Sequence, residues 1–233
     1  WTGLEPITDV GSSASSVGDG LDLNINIARP ERRLFVAAHY MWARSRNDAD
    51  GPFSLPANAA NIAAERGPAL DDARHRAMGF ASLPIARRVT AGVSFTAQSA
   101  LPYDITTGRD DNGDTLSTDR PEGVTRNTGR GRARYDISTR LAWRLGFGGA
   151  PPPSTGGPQV RVVRGGSDAN PLADMPSGEP QTRFTLEVYA QAFNVTNHTN
   201  ATLFSGVLSS PFFGQAVAAA SPRRVEVGAK LTF

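Results

Sequence analysis

Polar and apolar residues alternate with a period of two in seven separate runs along this chain. In the closing run, Val225, Val227, Ala229, Leu231 and Phe233 fall on one side of an extended backbone. Arg224, Glu226, Gly228, Lys230 and Thr232 fall on the other. Successive strand side chains point to opposite faces, so the run predicts a strand with one oily and one wet face. The run before it repeats the pattern, with Phe184, Leu186, Val188, Ala190 and Ala192 set against Thr185, Glu187, Tyr189, Gln191 and Phe193. The clearest run spans Tyr135 to Phe147, with Tyr135, Ile137, Thr139, Leu141, Trp143, Leu145 and Phe147 on its oily side. Earlier runs cover Val17–Ala28, Arg33–Arg46, about 75–85, and Arg88–Leu101. The phase of the 75–85 run is ambiguous, because Met78 and Phe80 compete with Ala77, Ala81, Leu83 and Ile85.

The connections differ in length. Arg29-Pro30-Glu31-Arg32 predicts a tight turn, since proline presets the φ its position needs. A second short turn falls near Ala86-Arg87. Long polar connections occupy 47–74, 102–133 and 196–222, and 148–182 is Pro/Gly-rich low complexity with no regular structure expected. The opening, Trp1 to Ser16, reads as loop. Trp1 carries no signal sequence ahead of it, as expected of the interior or end of a longer protein.

Strand length points toward a membrane. Five of the seven runs are 11–14 residues, whereas strands of soluble proteins usually have about five or six. At about 3.3 Å per residue and a tilt of about 45°, such a strand covers roughly 25 Å of height, that of the apolar band on an outer-membrane barrel. Tyr40 and Trp42 close the oily stripe of their run, where amphipathic rings favour a membrane–water boundary. A soluble β-sandwich also alternates. The wet faces carry Asp22, Arg140, Glu187, Glu226 and Lys230 at mid-strand, which suits either a solvated sheet or a water-filled or plugged lumen.

Composition narrows the choice slightly. Of 233 residues, 39% are apolar, and no run approaches the length of a transmembrane helix. Cysteine is absent and the formal charge is +2, too small to argue for a nucleic-acid partner. The arginines look scattered, as on solvated faces.

Candidate chemistry is sparse. Asp110, Asn112 and Asp114 alternate like the first ligands of a calcium loop. Thr115 then stands where glycine is needed, and Pro121 where the bidentate glutamate belongs. An Asx-rich turn and a bound Ca²⁺ both remain open readings. His39, His75 and His198 are far apart in the sequence and predict ordinary polar placement. The sequons at Asn194, Asn197 and Asn200 read as turn polarity. Gly129-Arg130-Gly131-Arg132 is too short for a phosphate cradle. No nucleophile elbow or other catalytic pattern occurs, so no enzyme is expected.

Several words along the chain resemble the C-terminal barrel of TonB-dependent outer-membrane receptors, nearest to the Oar-like branch with its carboxypeptidase-regulatory-like N-terminus. They are HYMWARSRNDADGPFSLPANAAN, ERGPALDDARHR, LPYDITTGRDDNGDTLSTDRPEGVTRNTGRG, YAQAFNVTNHTN and PRRVEVGAKLTF, in family order from about residue 36 onward. The resemblance implies an all-β fold, an antiparallel transmembrane β-barrel of about 22 strands to which this chain gives about seven. It implies a bacterial outer-membrane location, contact with the lipid bilayer and lipopolysaccharide, and assembly through the C-terminal strand ending at Phe233 by the barrel-assembly machinery. It also implies energy from the TonB complex, acting through an N-terminal part and plug that this chain does not contain, and capture of an unidentified extracellular ligand. With Phe233 at the periplasm, 47–74, 102–133 and 196–222 are expected outside the cell, and 148–182 on the periplasmic side, where a short turn is usual. Three functions remain: ligand transport, a structural or adhesion role for the same barrel, and a soluble carbohydrate-binding module. Trp42 and Trp143 sit on apolar stripes rather than on one concave aromatic face, which counts against the last.

Overall fold

The computed structural model describes Gly11 and residues 14–51, 54–59, 61–149 and 182–233. Twelve strands occur in chain order: β1 Ser16–Arg29, β2 Leu34–Asn47, β3 Gly67–Pro68, β4 His75–Ala86, β5 Val89–Gln98, β6 Pro102–Tyr103, β7 Gly129–Arg130, β8 Arg134–Phe147, β9 Phe184–Phe193, β10 Ala201–Phe204, β11 Ala216–Ala219 and β12 Arg224–Thr232. The seven long ones form a single antiparallel meander, β1-β2-β4-β5-β8-β9-β12. Each coincides with one of the seven alternating runs, with ends shifted by one to three residues. The largest change is in β5, which stops at Gln98 rather than Leu101. The expected turn after β1 is a 3-10 turn at Pro30–Arg32, with Arg33 at a φ of 50°.

Register decides which face each residue occupies, because directly paired residues point the same way. Leu23 pairs with Tyr40, Tyr40 with Ala77, Ala77 with Ala97, and Ala97 with Tyr135. Farther along, Leu141 pairs with Ala190 and Ala190 with Val227. The seven oily stripes therefore join into one face across the whole sheet. The same ladder settles the ambiguous strand: Ala77, Ala81 and Leu83 belong to the oily face, and Met78 and Phe80 to the other. Phe80 is satisfied there by stacking on Phe35, with ring centroids 5.2 Å apart. Pro84 is tolerated because the register slips between Pro84 and Ala86.

Burial in this sheet is inverted relative to a water-soluble protein. The oily face is open, Val227 being 78% exposed and Leu21, Ile25, Leu141 and Leu231 all exposed. On the polar face Gln191 is only 2% exposed, and Arg140 and Glu187 are buried beside it. Arg140 and Arg144 both hold the Glu187 carboxylate. Arg140 also donates to Gln191 Oε1 at 3.0 Å and lies 3.6 Å from the centre of the Tyr189 ring. An apolar face this extensive on seven strands has nothing in the described residues to cover it, and lipid is the solvent that suits it.

Aromatic residues bound the oily face at both ends. Tyr40, Trp42 and Tyr135 lie near one end; Phe147 and Phe184 stack at 5.4 Å at the other, with Trp143 two same-face positions inside them. Twelve residues separate Tyr135 from Phe147 on β8. At about 3.3 Å each and a tilt of about 45°, that is roughly 28 Å of height, enough to bracket an apolar band of about 25 Å. All three described long connections, 48–74, 99–133 and 194–223, leave from the Tyr135 end, and the short turns lie at the other. The 148–182 segment lies almost wholly outside the described residues. Within the described residues, β1 and β12 pair on one side only and do not meet each other.

The assignment of faces predicts unequal costs for charge. Val227→Arg or Leu141→Arg, each near mid-strand on the oily face, should destabilise the folded protein in bilayers by about 2–4 kcal/mol. Lys230→Ala, on the opposite face across from Glu187, should cost far less. A reversible urea titration in lipid vesicles measures all three, and equal small effects would contradict the assignment.

Candidate functional site: an interlocked loop cluster and a polar groove

The three long loops are not slack connections. The central one, 99–133, reaches into 48–74 on one side and 194–223 on the other. Arg120 is its main clamp. Its two terminal nitrogens donate to both Glu65 oxygens at 2.9 and 2.7 Å, a bidentate geometry that suits guanidinium and carboxylate. Its Nε donates to Asp104 at 3.0 Å. Glu65 sits in a 3-10 turn, Ile62–Glu65, and also accepts the Ala57 N–H at 2.9 Å. Arg126 is a second clamp, almost fully buried. It donates from Nε to the Glu65 carbonyl at 2.8 Å and from Nη2 to the Asn47 carbonyl at 2.6 Å, and it pairs with Asp50 at 2.8 Å. No β-carbon fits at Gly67, because the Arg126 carbonyl occupies that space.

Asn127 is wholly buried, with a φ of 56° that asparagine tolerates better than most residues. Its amide donates to Asp50 and to the Pro68 carbonyl at 3.0 Å. Arg130 completes the junction, donating to the Asp72 carboxylate at 2.6 Å and its carbonyl at 2.8 Å. On the other side, Tyr103 stacks on Phe204 at 5.8 Å, and Thr106 bridges Val207. Gly129 and Gly131, set aside above as a failed phosphate cradle, have a packing role here. The Tyr103 ring lies against the first and the Phe204 ring against the second, where a side chain would collide.

At the loop end of the sheet, bordered by Asn194, Asn200 and Ser221 of the 194–223 loop, lies an open cavity of about 810 Å³. Its wall includes Arg76 of β4, Gln98 of β5, Arg134 and Asp136 of β8, Phe193 of β9 and Glu226 of β12. Arg134 donates to Gln98 Oε1 at 2.7 Å, and Arg224 pairs with Glu226 at 2.8 Å while lying 4.6 Å from the Phe193 ring. The wall thus offers cationic donors, anionic and neutral acceptors, and the aromatic side chains of Tyr135 and Phe193. That suits a polar solute held by several weak contacts.

The residues singled out in the sequence are placed differently. Asp110 accepts the N–H groups of Gly113, Asp114 and Thr115 at 2.7, 3.0 and 2.9 Å. Asp114 accepts Leu116 N–H at 2.8 Å, and the Asn112 amide donates to Asp119 and to the Ala57 carbonyl, each at 2.8 Å. In this geometry the three side chains tie the loop to itself and to 48–74. Among the described residues no group of three or more His, Cys, Asp or Glu is placed to share a metal ion. The histidines stay apart: His39 contacts Asp22, His75 the Tyr40 hydroxyl, and the His198 ring stacks on Tyr135 at 4.2 Å. Asn194, Asn197 and Asn200 all bond backbone, and Asn200 accepts from Tyr135 N–H at 2.9 Å and donates to its carbonyl at 2.8 Å.

One expectation needs correction. The arginines read as solvated-face residues include three, Arg126, Arg140 and nearly Arg120, that are buried. Each is buried because carboxylates from distant segments complete it, and no local spacing signals that.

A sheet whose exposed face is oily, whose protected face is charged, and whose oily band is rimmed by aromatics is the wall of a transmembrane β-barrel. The comparison with known families agrees: residues 2–226 match the family described as outer membrane beta barrel domain. The chain belongs to that family, which places it in the bacterial outer membrane. No curated protein and no solved structure matches it.

The cap should respond to charge removal and to acid. Arg120→Ala leaves Glu65 buried without its guanidinium, at a local cost of about 3 kcal/mol. Amide exchange at Ala57 and Asn127 should then speed up roughly a hundredfold, while exchange in β8 stays unchanged. Burial alone would raise the pKa values of Glu65 and Asp72. The hydrogen bonds and charges of Arg120 and Arg130 outweigh it and hold both carboxyls below their ordinary range. Their stabilisation is complete above the usual carboxylate pKa of about 4 and is lost as pH falls through the lowered folded values. Exchange at Asn127, corrected for its intrinsic pH dependence, should rise below pH about 4 and not between pH 6 and 9.

Proposed function

We propose that this chain is part of the barrel of a TonB-energised outer-membrane receptor that captures a solute at its loop end and admits it along the lumen. The observation that carries this reading is an ordered loop cluster at the same end of the sheet as a polar groove: loops fixed by buried arginine clamps present a shaped surface, and the sheet below the 194–223 loop offers a cavity lined with donors and acceptors. The family resemblance of the loop words supports the same reading. The unpaired outer edges of β1 and β12 support a larger ring, since each bare backbone group in lipid costs several kcal/mol. In the full protein those edges have other strands as neighbours, the lumen is plugged, and the ligand-binding surface includes the cap. The three long loops then face the outside of the cell.

Two measurements on the full-length protein test this. These 233 residues lack cysteine, so once any cysteine elsewhere in the full-length protein is replaced, single cysteines report position without background. An impermeant thiol reagent on intact cells should label Ser117→Cys and Ser209→Cys, both in exposed loop positions, and spare Arg32→Cys in the short turn until the outer membrane is broken. Cells given isotopically labelled medium should accumulate a labelled compound only when both this protein and TonB are present. Labelling of Arg32→Cys alone would reverse the topology. Normal labelling without TonB-dependent accumulation of any compound would favour the structural or adhesion role.

A further inference from the structure

We propose that Arg76, Gln98 and Arg134 form a binding site for a carboxylate group of the captured solute, at the loop end of the sheet. This inference rests on the receptor reading above and names the chemistry of its solute. The three residues stand directly opposite one another on neighbouring strands, Arg76 beside Gln98 and Gln98 beside Arg134. All three are half-buried and line the same cavity. Arg134 donates to Gln98 Oε1 at 2.7 Å, which commits the amide oxygen. The amide nitrogen keeps two N–H donors with no acceptor among the described residues. Arg76 donates from Nη2 to the Asp71 carbonyl, and its Nε and Nη1 find no acceptor among those residues either. No described carboxylate pairs with Arg76 or Arg134. Two strand spacings put their backbones about 10 Å apart. Two half-buried like charges at that separation repel each other, and an anion between them turns the repulsion into attraction.

The rest of the wall limits the charge that a ligand can bring. Arg224 and Glu226 pair at 2.8 Å and cancel. Asp136 remains, two residues along β8 from Arg134 on the same face, or about 7 Å away along the strand. Its described partner is the Ser138 hydroxyl at 2.7 Å, which leaves its charge in place. Two guanidiniums against one carboxylate leave an excess of a single positive charge, which a monoanion balances. A phosphate monoester carries about −1.5 to −2 at neutral pH and would bring its second charge up against Asp136. A carboxylate fits both the charge balance and the planar fork of a guanidinium.

The probes are propionate, its uncharged isostere propionamide, and methyl phosphate, each titrated by saturation-transfer NMR against the detergent-purified full-length protein at neutral pH. Propionate should bind at least about tenfold more tightly than propionamide, and more tightly than methyl phosphate. Arg76→Gln/Arg134→Gln should lose both preferences while still migrating as a folded barrel in unheated gels. Arg109→Gln, at an exposed loop position outside the groove, should keep them. Asp136→Asn should tighten methyl phosphate several-fold, a change that a purely structural arginine pair would not produce. Equal binding of propionate and propionamide by the wild type overturns the site, and so does a folded Gln pair that binds propionate as the wild type does. Preference of the wild type for methyl phosphate overturns the carboxylate as the ligand group. If the Gln pair does not fold, the wild-type preferences and the Asp136→Asn shift decide alone. The labelled-medium experiment separates this site from the receptor reading. The accumulated compound should carry a carboxylate; TonB-dependent accumulation of a compound without one sinks the site and leaves the receptor standing. Propionate selectivity without TonB-dependent accumulation of any compound sinks the receptor reading and leaves the site.

Discussion

In a bilayer, backbone N–H and C=O groups have no water to fall back on, so each must find a partner within the protein. Long antiparallel ladders meet that demand, and almost every other property of this chain follows from it. Strands must be long enough to cross the apolar band, which is why β1, β2 and β8 each run to 14 residues. Alternate residues must suit hydrocarbon, which is why one face from β1 to β12 is built of Leu, Ile, Val, Ala and aromatics. The other half of the residues is then free to be polar, and hydrophobic burial is no longer what shapes the core. Among the described residues the buried aliphatic side chains are small alanines, while the largest fully buried side chain is Gln191.

With burial inverted, electrostatics takes over the work of joining distant segments. Glu187 holds Arg140 and Arg144 on the inner wall, and Arg120, Arg126 and Arg130 do the same between loops. Guanidinium suits this because its planar fork can satisfy several acceptors from different segments at once. Arg120 joins Glu65 and Asp104; Arg126 joins Asn47, Asp50 and Glu65. A loop cap built this way can be large, polar and still ordered, and under the receptor reading an ordered rim is what gives the ligand a defined surface to meet.

The strands and their faces were legible in the sequence because period-two alternation is a local signal, and each long run became one strand of the sheet. The 75–85 segment was not, because Met78 and Phe80 are as apolar as their competitors; only the register with Ala38 and Phe95 decides it. The polarity of the 47–74, 102–133 and 196–222 loops was legible, but their interlocking was not. Arg126 meets Asp50 across more than seventy residues, and nothing in the spacing of TRNTGRG announces a buried arginine. Gly129 and Gly131 fail as a phosphate motif, and their partners are aromatic rings: Tyr103 from the far end of the same loop and Phe204 from the 194–223 loop. What a sequence conceals here is pairing at a distance.

The central claim is that the alternating stripe faces lipid while the charged face lines a protected interior. Spin labels placed one at a time from Tyr135 to Phe147, in the full-length protein reconstituted in bilayers, test it most directly. Collision with dissolved oxygen should rise and fall residue by residue, with maxima at Ile137, Thr139, Leu141, Trp143 and Leu145 and the greatest value near Leu141. A water-soluble nickel chelate should be excluded from those same positions. Uniform access of the chelate along Ile137–Leu145, or oxygen maxima at Ser138, Arg140 and Ala142 instead, would contradict the account.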